Sequence, residues 1–121
     1  MFKKKKEQKN NNLVEVHIKT HKDKKGGHPH VILDDVDNKH VSVGFTTKSK
    51  KGKNSTNYAL EKSPFDDGKQ SFMRRQGTVS PKNKYTNNRK GSMTKKDYDQ
   101  AKIYGERAKQ KYLKEKKNKK K

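Results

Sequence analysis

Apolar residues are scarce in this chain and almost all are confined to one stretch, which limits any fold to a single small core. Leu, Ile, Val and Phe make up 18 of 121 residues, about 15%, a level at which disorder competes with folding. Fifteen of the eighteen lie between Leu13 and Val79. A compact core can form there while both ends stay polar and rich in lysine. The length allows one domain. A core this small gains stability from anything that binds only the folded state, whether a second subunit or nucleic acid.

Periodicity inside that stretch reads as strands. Val14, Val16 and Ile18 alternate with Glu15 and His17 as in a half-buried strand. A charged loop from Lys22 to Gly27 leads into Val31-Ile32-Leu33, a short β-branched run that reads as a central strand. The cluster Asp34 to Asn38 is a turn, and Val41, Val43 and Phe45 restore alternation, completing a β-hairpin. A brief strand is expected at Tyr58-Ala59-Leu60. Another is expected from Ser71 through Val79, where Pro81 stops the ladder.

Lys82 to Gly91 carries no Leu, Ile, Val or Phe and is expected to be a loop. Thr94, with Asp97 three residues on, resembles a capping box and predicts a helix from about residue 94. Tyr98, Ala101, Tyr104, Ala108 and Tyr112 then recur at helical spacing and read as a packing stripe. Gly105 weakens that helix by about 1 kcal/mol relative to Ala, so fraying beyond it is expected. The fold class is mainly β with one helix, a small, strongly bent antiparallel barrel of SH3-like form. Residues 12–113 form the domain, between disordered basic tails at 1–11 and 114–121.

Charge identifies the partner class. Lys and Arg number 34 against 13 Asp and Glu, a formal net charge of +21. Such a field seeks a polyanion, and single-stranded RNA is the expected one. Only Arg74, Arg75, Arg89 and Arg107 are arginines, so the charge is mostly lysine, suited to phosphate contact more than to base reading. The absence of cysteine excludes a disulfide framework and thiolate metal sites and fits a cytoplasmic location. No transmembrane segment and no apolar signal-peptide core is apparent.

Classical catalytic motifs are missing. The histidines His17, His21, His28, His30 and His40 lack metal-site spacing, although His28 and His30 share a strand face. No metal and no cofactor is expected. Gly26-Gly27 lacks the context of a nucleotide-binding loop, and Ser63 and Ser80 precede prolines as turn residues.

One ordered set of segments is more specific: Gly26-Gly27-His28-Pro29-His30, the strand Val31-Ile32-Leu33, the run Thr46-Thr47-Lys48-Ser49-Lys50, and Phe72-Met73-Arg74-Arg75. In order and spacing, from about Val14 to Val79, it resembles the PemK/MazF-like toxin family. The resemblance implies an SH3-like barrel, a homodimer, and metal-independent cleavage of single-stranded RNA by attack of the 2′-hydroxyl on the adjacent phosphate. It also implies silencing by a protein antitoxin or, as in type III relatives with threonine, serine and lysine in their sites, by an RNA antitoxin. The chain departs from the family at His28, which precedes the proline where many members carry a catalytic arginine.

That substitution is compatible with catalysis, since histidine exchanges protons near neutral pH, and the expected site has His28 or His30 as general base or acid. Thr47 or Thr46 would bond a phosphate oxygen, and Lys48 or Lys50 would stabilise developing negative charge. Lys24, Lys25, Ser49, Lys51, Lys53, Ser71, Arg74 and Arg75 would bind RNA. Beside these roles stand plainer ones: strand-face imidazoles, β-propensity for the threonines, and general phosphate attraction for the lysines. The alternative function is a non-catalytic nucleic-acid-binding module of a mobile element, regulatory system or ribosome. A third reading is a disordered polycation that condenses nucleic acid.

Overall fold

A computed structural model describes residues 13–23, 26–49, 56–65 and 70–119. The expected basic arm at 1–11 and residues 120–121 lie outside them. Among the described residues the chain forms β1 (Leu13–Asp23), β2 (Gly26–Val36), β3 (Lys39–Thr46), β4 (Tyr58–Ala59) and β5 (Phe72–Pro81). A 3-10 turn (Lys82–Lys84), β6 (Tyr85–Thr94) and α1 (Lys95–Lys119) follow. The strands make one antiparallel sheet in the order β4-β5-β3-β2-β1-β6. The mainly β architecture with a C-terminal helix is as the sequence implies.

Alternation places Val16, Ile18, Val31, Val43 and Phe45 on one face, where they bury with Leu60, Met73, Met93, Ala101 and Tyr104. The β2–β3 hairpin turns on Asp37 and Asn38, with φ of 50° and 61°. Both central residues are left-handed, as a two-residue turn matching strand twist requires, and Asp and Asn tolerate this best after glycine.

Two expectations are corrected. Lys82 to Gly91 is largely strand: β6 pairs with β1 from Leu13 opposite Thr94 to His21 opposite Tyr85. It is a polar edge strand whose contribution is mostly backbone hydrogen bonding, with Tyr85 and Met93 buried near its two ends. Asn87, with φ of 55°, coincides with the register shift between Ile18 and Thr20 of β1, the mark of a β-bulge. The helix also does not end near Gly105 or Leu113; it continues to Lys119.

The reason is a close approach of backbones. A Cβ on Gly77 of β5 would lie 2.7 Å from the Tyr104 carbonyl oxygen and 3.0 Å from Gly105 Cα. One on Gly105 would lie 2.6 Å from Leu33 Cδ1. Helix and strand therefore touch where both lack side chains, and the propensity lost at Gly105 is offset by packing. Beyond that point Lys109 pairs with Asp34 at 2.7 Å, and Lys116 and Tyr112 bond Asp37 of the hairpin turn.

The helix start is as the capping signal implies, since the Asp97 backbone N–H donates to Thr94 Oγ1 at 3.1 Å. The Asp97 carboxylate has a further role. Fully buried, it accepts from Tyr58 OH at 3.2 Å and from the Glu61 backbone N–H at 2.8 Å, tying the segment after β4 to α1. That segment also meets β6. Lys62 Nζ donates to Ser92 Oγ at 3.0 Å, the Arg89 guanidinium lies 4.7 Å from the Phe65 ring centroid, and a Cβ on Gly91 would come within 2.7 Å of the Pro64 carbonyl oxygen. The two ends of the bent sheet are joined by these contacts where the ladder itself is not closed.

Substituting Gly77 by Ala should cost about 1–3 kcal/mol by overpacking against helix backbone. Gly105→Ala should cost less, because it meets the end of a flexible side chain and gains helix propensity; urea unfolding of both variants checks the order. Asp97 yields a second expectation. Burial pushes its carboxyl above the ordinary carboxylate range, against the pull of its hydrogen bonds. Its contribution to stability is then fully present below the unfolded value and lost as pH rises through the folded one. Compared with Asp97→Asn in urea titrations, the parent protein should lose relative stability as pH rises from about 4.

Candidate functional site

In β3 every residue from His40 to Phe45 is buried, so both faces of this strand are covered. Val41, Val43 and Phe45 hold the apolar core. His40, Ser42 and Gly44 point the other way, onto a polar cluster built with β1, β2, β5 and the start of β6. A Cβ on Gly44 would lie 3.0 Å from His30 Nε2, so this glycine makes room for the imidazole.

Ser42 is the centre of the cluster. Its Oγ lies 2.9 Å from His30 Nδ1 and 2.8 Å from Tyr85 OH, a three-residue hydrogen-bonded chain with all members buried. The Tyr85 ring is 4.9 Å from those of both His21 and His40 and 6.2 Å from that of His30. His21 packs 4.9 Å from His30, and its Nε2 is 2.9 Å from Ser80 Oγ. Burial raises the Tyr85 hydroxyl above its ordinary value, so it stays a neutral hydrogen-bonding group.

At the far end Lys19, His40 and Asp35 form a chain whose protons can be assigned. Lys19 Nζ lies 3.1 Å from His40 Nε2, and His40 Nδ1 lies 2.7 Å from Asp35 Oδ1. A protonated lysine can only donate, so Nε2 accepts and Nδ1 carries the proton that it donates to Asp35. The hydrogen bond from His40, with Lys82 at 3.2 Å, keeps the Asp35 carboxyl below its usual range.

His21 and His28 are opposite one another across the β1–β2 ladder. Cβ atoms so paired are about 4.5–5.5 Å apart. The β2–β3 ladder stops at His30 opposite Gly44, two residues short of both His28 and Thr46, which therefore lie at the same end of it. His28, half-buried, thus lies at the same end of the sheet as the loop that follows β3. In that loop Thr46 Oγ1 accepts from Lys48 N–H at 3.2 Å, and Thr47, Lys48 and Ser49 are exposed. Asn57 fastens the loop, donating from its backbone N–H to the Ser49 carbonyl at 2.8 Å and from its side chain to the Lys48 carbonyl at 2.9 Å.

The other expected residues are dispersed. Ser71 is buried and donates to Ser63 Oγ at 3.2 Å. Arg74 is half-buried, and Arg75 donates to the Thr56 carbonyl and to Tyr104 OH on the helix side. Lys24, Lys25, Lys50, Lys51 and Lys53 lie outside the described residues. Sequence reasoning did not assign His21, Ser42, Tyr85, Lys19, His40 or Ser80 to a site. The signal that could have found His21 was the polar continuation of β1 past Ile18 to Asp23, which keeps odd-numbered residues on the histidine face.

Among the described residues no group of three or more His, Cys, Asp or Glu is arranged to hold a metal ion, and no helix is long and apolar enough to cross a membrane. No family model, curated protein or solved structure matches this chain.

Ser42→Ala should destabilise the protein by about 1–3 kcal/mol, because it strands both the buried His30 nitrogen and the Tyr85 hydroxyl. Tyr85→Phe, which leaves the His30–Ser42 bond intact, should cost less. Thermal unfolding of the two variants checks the ranking.

Proposed function

We propose that this protein binds single-stranded RNA and cleaves it by attack of the 2′-hydroxyl on the adjacent phosphate, with imidazoles moving the protons. The observation that carries the reading is the His21–His28 pair on one rung of the β1–β2 ladder, at the end of the sheet where β3 runs into Thr46–Ser49. One imidazole removes the 2′-hydroxyl proton as the O2′–P bond forms; the other protonates the leaving 5′-oxygen as the P–O5′ bond breaks. The products are a 2′,3′-cyclic phosphate and a 5′-hydroxyl. Two groups that exchange protons near neutral pH are what such a transfer needs.

The other residues take supporting roles. His30, only 8% exposed and bonded to Ser42, orients the His21 ring it packs against. Thr46, Thr47 and Lys48 are at the right end of the ladder to hold phosphate oxygens and stabilise developing charge. The formal charge of +21 supplies attraction to the strand. This reading agrees with the resemblance to PemK/MazF-like toxins. With it go the associated proposals of a cytoplasmic, homodimeric protein restrained by a protein or RNA antitoxin.

A second reading, RNA binding alone, is favoured by the burial of His30, His40, Ser42 and Tyr85, since a satisfied polar core needs no reaction to account for it. Incubation with single-stranded RNA in EDTA decides between them. Parent protein should cleave, and His28→Ala and His21→Ala should each lower the rate by about 100-fold or more while unfolding cooperatively. Undiminished cleavage by both variants would sink the assignment; binding without cleavage by the parent leaves the second reading.

A further inference from the structure

A groove of about 380 Å³ runs between β5 and α1, on the face of β5 opposite the histidine cluster. Alternation along β5 makes this separation clear, since Ser80 bonds His21 while Gly77 lies against the helix. Arg75, Arg107 and Lys111 converge on the groove, and Glu115 is the one acidic residue lining it.

The cations of α1 divide by position. Lys109 and Lys116 are paired with Asp34 and Asp37 of the hairpin, and Lys95 and Lys102 are paired with Asp99. Arg107 and Lys111 have no carboxylate within ion-pair distance among the described residues. Arg75 is pre-aimed: its Nε–H donates to the Thr56 carbonyl at 2.9 Å and one terminal N–H to Tyr104 OH at 3.4 Å, while the Tyr58 ring centroid lies 5.9 Å away. An arginine held in this way loses little freedom on meeting an anion and keeps other donors of its fork available.

We propose that this groove is a second anchoring site for the phosphodiester backbone of single-stranded RNA, with Arg75, Arg107 and Lys111 contacting successive phosphates. The proposal rests on RNA being the ligand of the protein, and is independent of whether the histidine face cleaves it. A strand held on this side of β5 as well as at His21 and His28 is bound at two places, so affinity exceeds what either offers alone.

The test is binding of the full chain to a 2′-O-methyl oligonucleotide, which cannot undergo 2′-hydroxyl attack, at several salt concentrations. Joint substitution of Arg107 and Lys111 by Ala should weaken binding on the order of tenfold at low salt. It should also flatten the slope of log affinity against log salt by about 1.4, two single-strand contacts at about 0.7 each. Lys95→Ala with Lys96→Ala, which removes the same charge from the exposed start of α1, should leave the slope nearly unchanged. Equal effects from both pairs, or none from the first, overturn the proposal. Loss of polyglutamate binding with oligonucleotide binding intact overturns it too, assigning the groove to an acidic peptide. Failure of the cleavage assay leaves these results unaltered, so the two readings fail separately.

Discussion

The contact between Gly77 of β5 and the Tyr104–Gly105 backbone of α1 fixes most of what lies around it. Because neither glycine contributes a side chain, the helix sits close enough for Ala101 and Tyr104 to enter the apolar core, which would otherwise hold few large residues. The same proximity brings Asp97 to Tyr58 and Glu61, and so draws the segment after β4 against β6. A chain with about 15% Leu, Ile, Val and Phe cannot fill a wide gap between helix and sheet. Closing the gap to backbone contact is the alternative it uses.

Burial on two faces is the second organising feature, and it explains what could be read from the sequence. The alternation of Val14, Val16 and Ile18, the hairpin at Asp37-Asn38 and the Thr94 cap were legible because each depends on local chemistry. The β6 strand was not, because its sequence Thr86 to Lys90 has no apolar member and its pairing partner lies at the other end of the domain. Gly105 reads as a weakness in the helix until the strand that touches it is known. The alternation of Val41, Val43 and Phe45 places His40 and Ser42 on the opposite face, but nothing local shows that Tyr85 and the imidazoles of neighbouring strands will cover them. His28 and His30 could be singled out; their neighbour His21 is brought beside them by the β1–β2 pairing.

The protein does not spread its excess of positive charge evenly. Three carboxylates of the β2–β3 hairpin, Asp34, Asp35 and Asp37, engage Lys109, Lys82 and Lys116 respectively, and these pairs hold the second half of α1 and the 3-10 turn to the hairpin. Exposed ion pairs of this kind add little stability one by one. Their effect here is spatial: they neutralise the hairpin side and leave the β5–α1 groove as a place where Arg75, Arg107 and Lys111 meet with Glu115 as the one acidic residue lining it.

The pairing of β1 with β6 has a consequence for how the molecule is made. The first strand finds β2 at once through a short hairpin, yet its other edge waits for almost the last residues before the helix. On the ribosome that edge is open while the rest of the domain emerges, the interval in which unpaired strands recruit one another. Glu15, His17, Lys19 and Lys22 keep much of β1 polar, and the strongly cationic chain as a whole repels other copies of itself. The excess of positive charge thus bears on the unfinished chain as well as on the folded one.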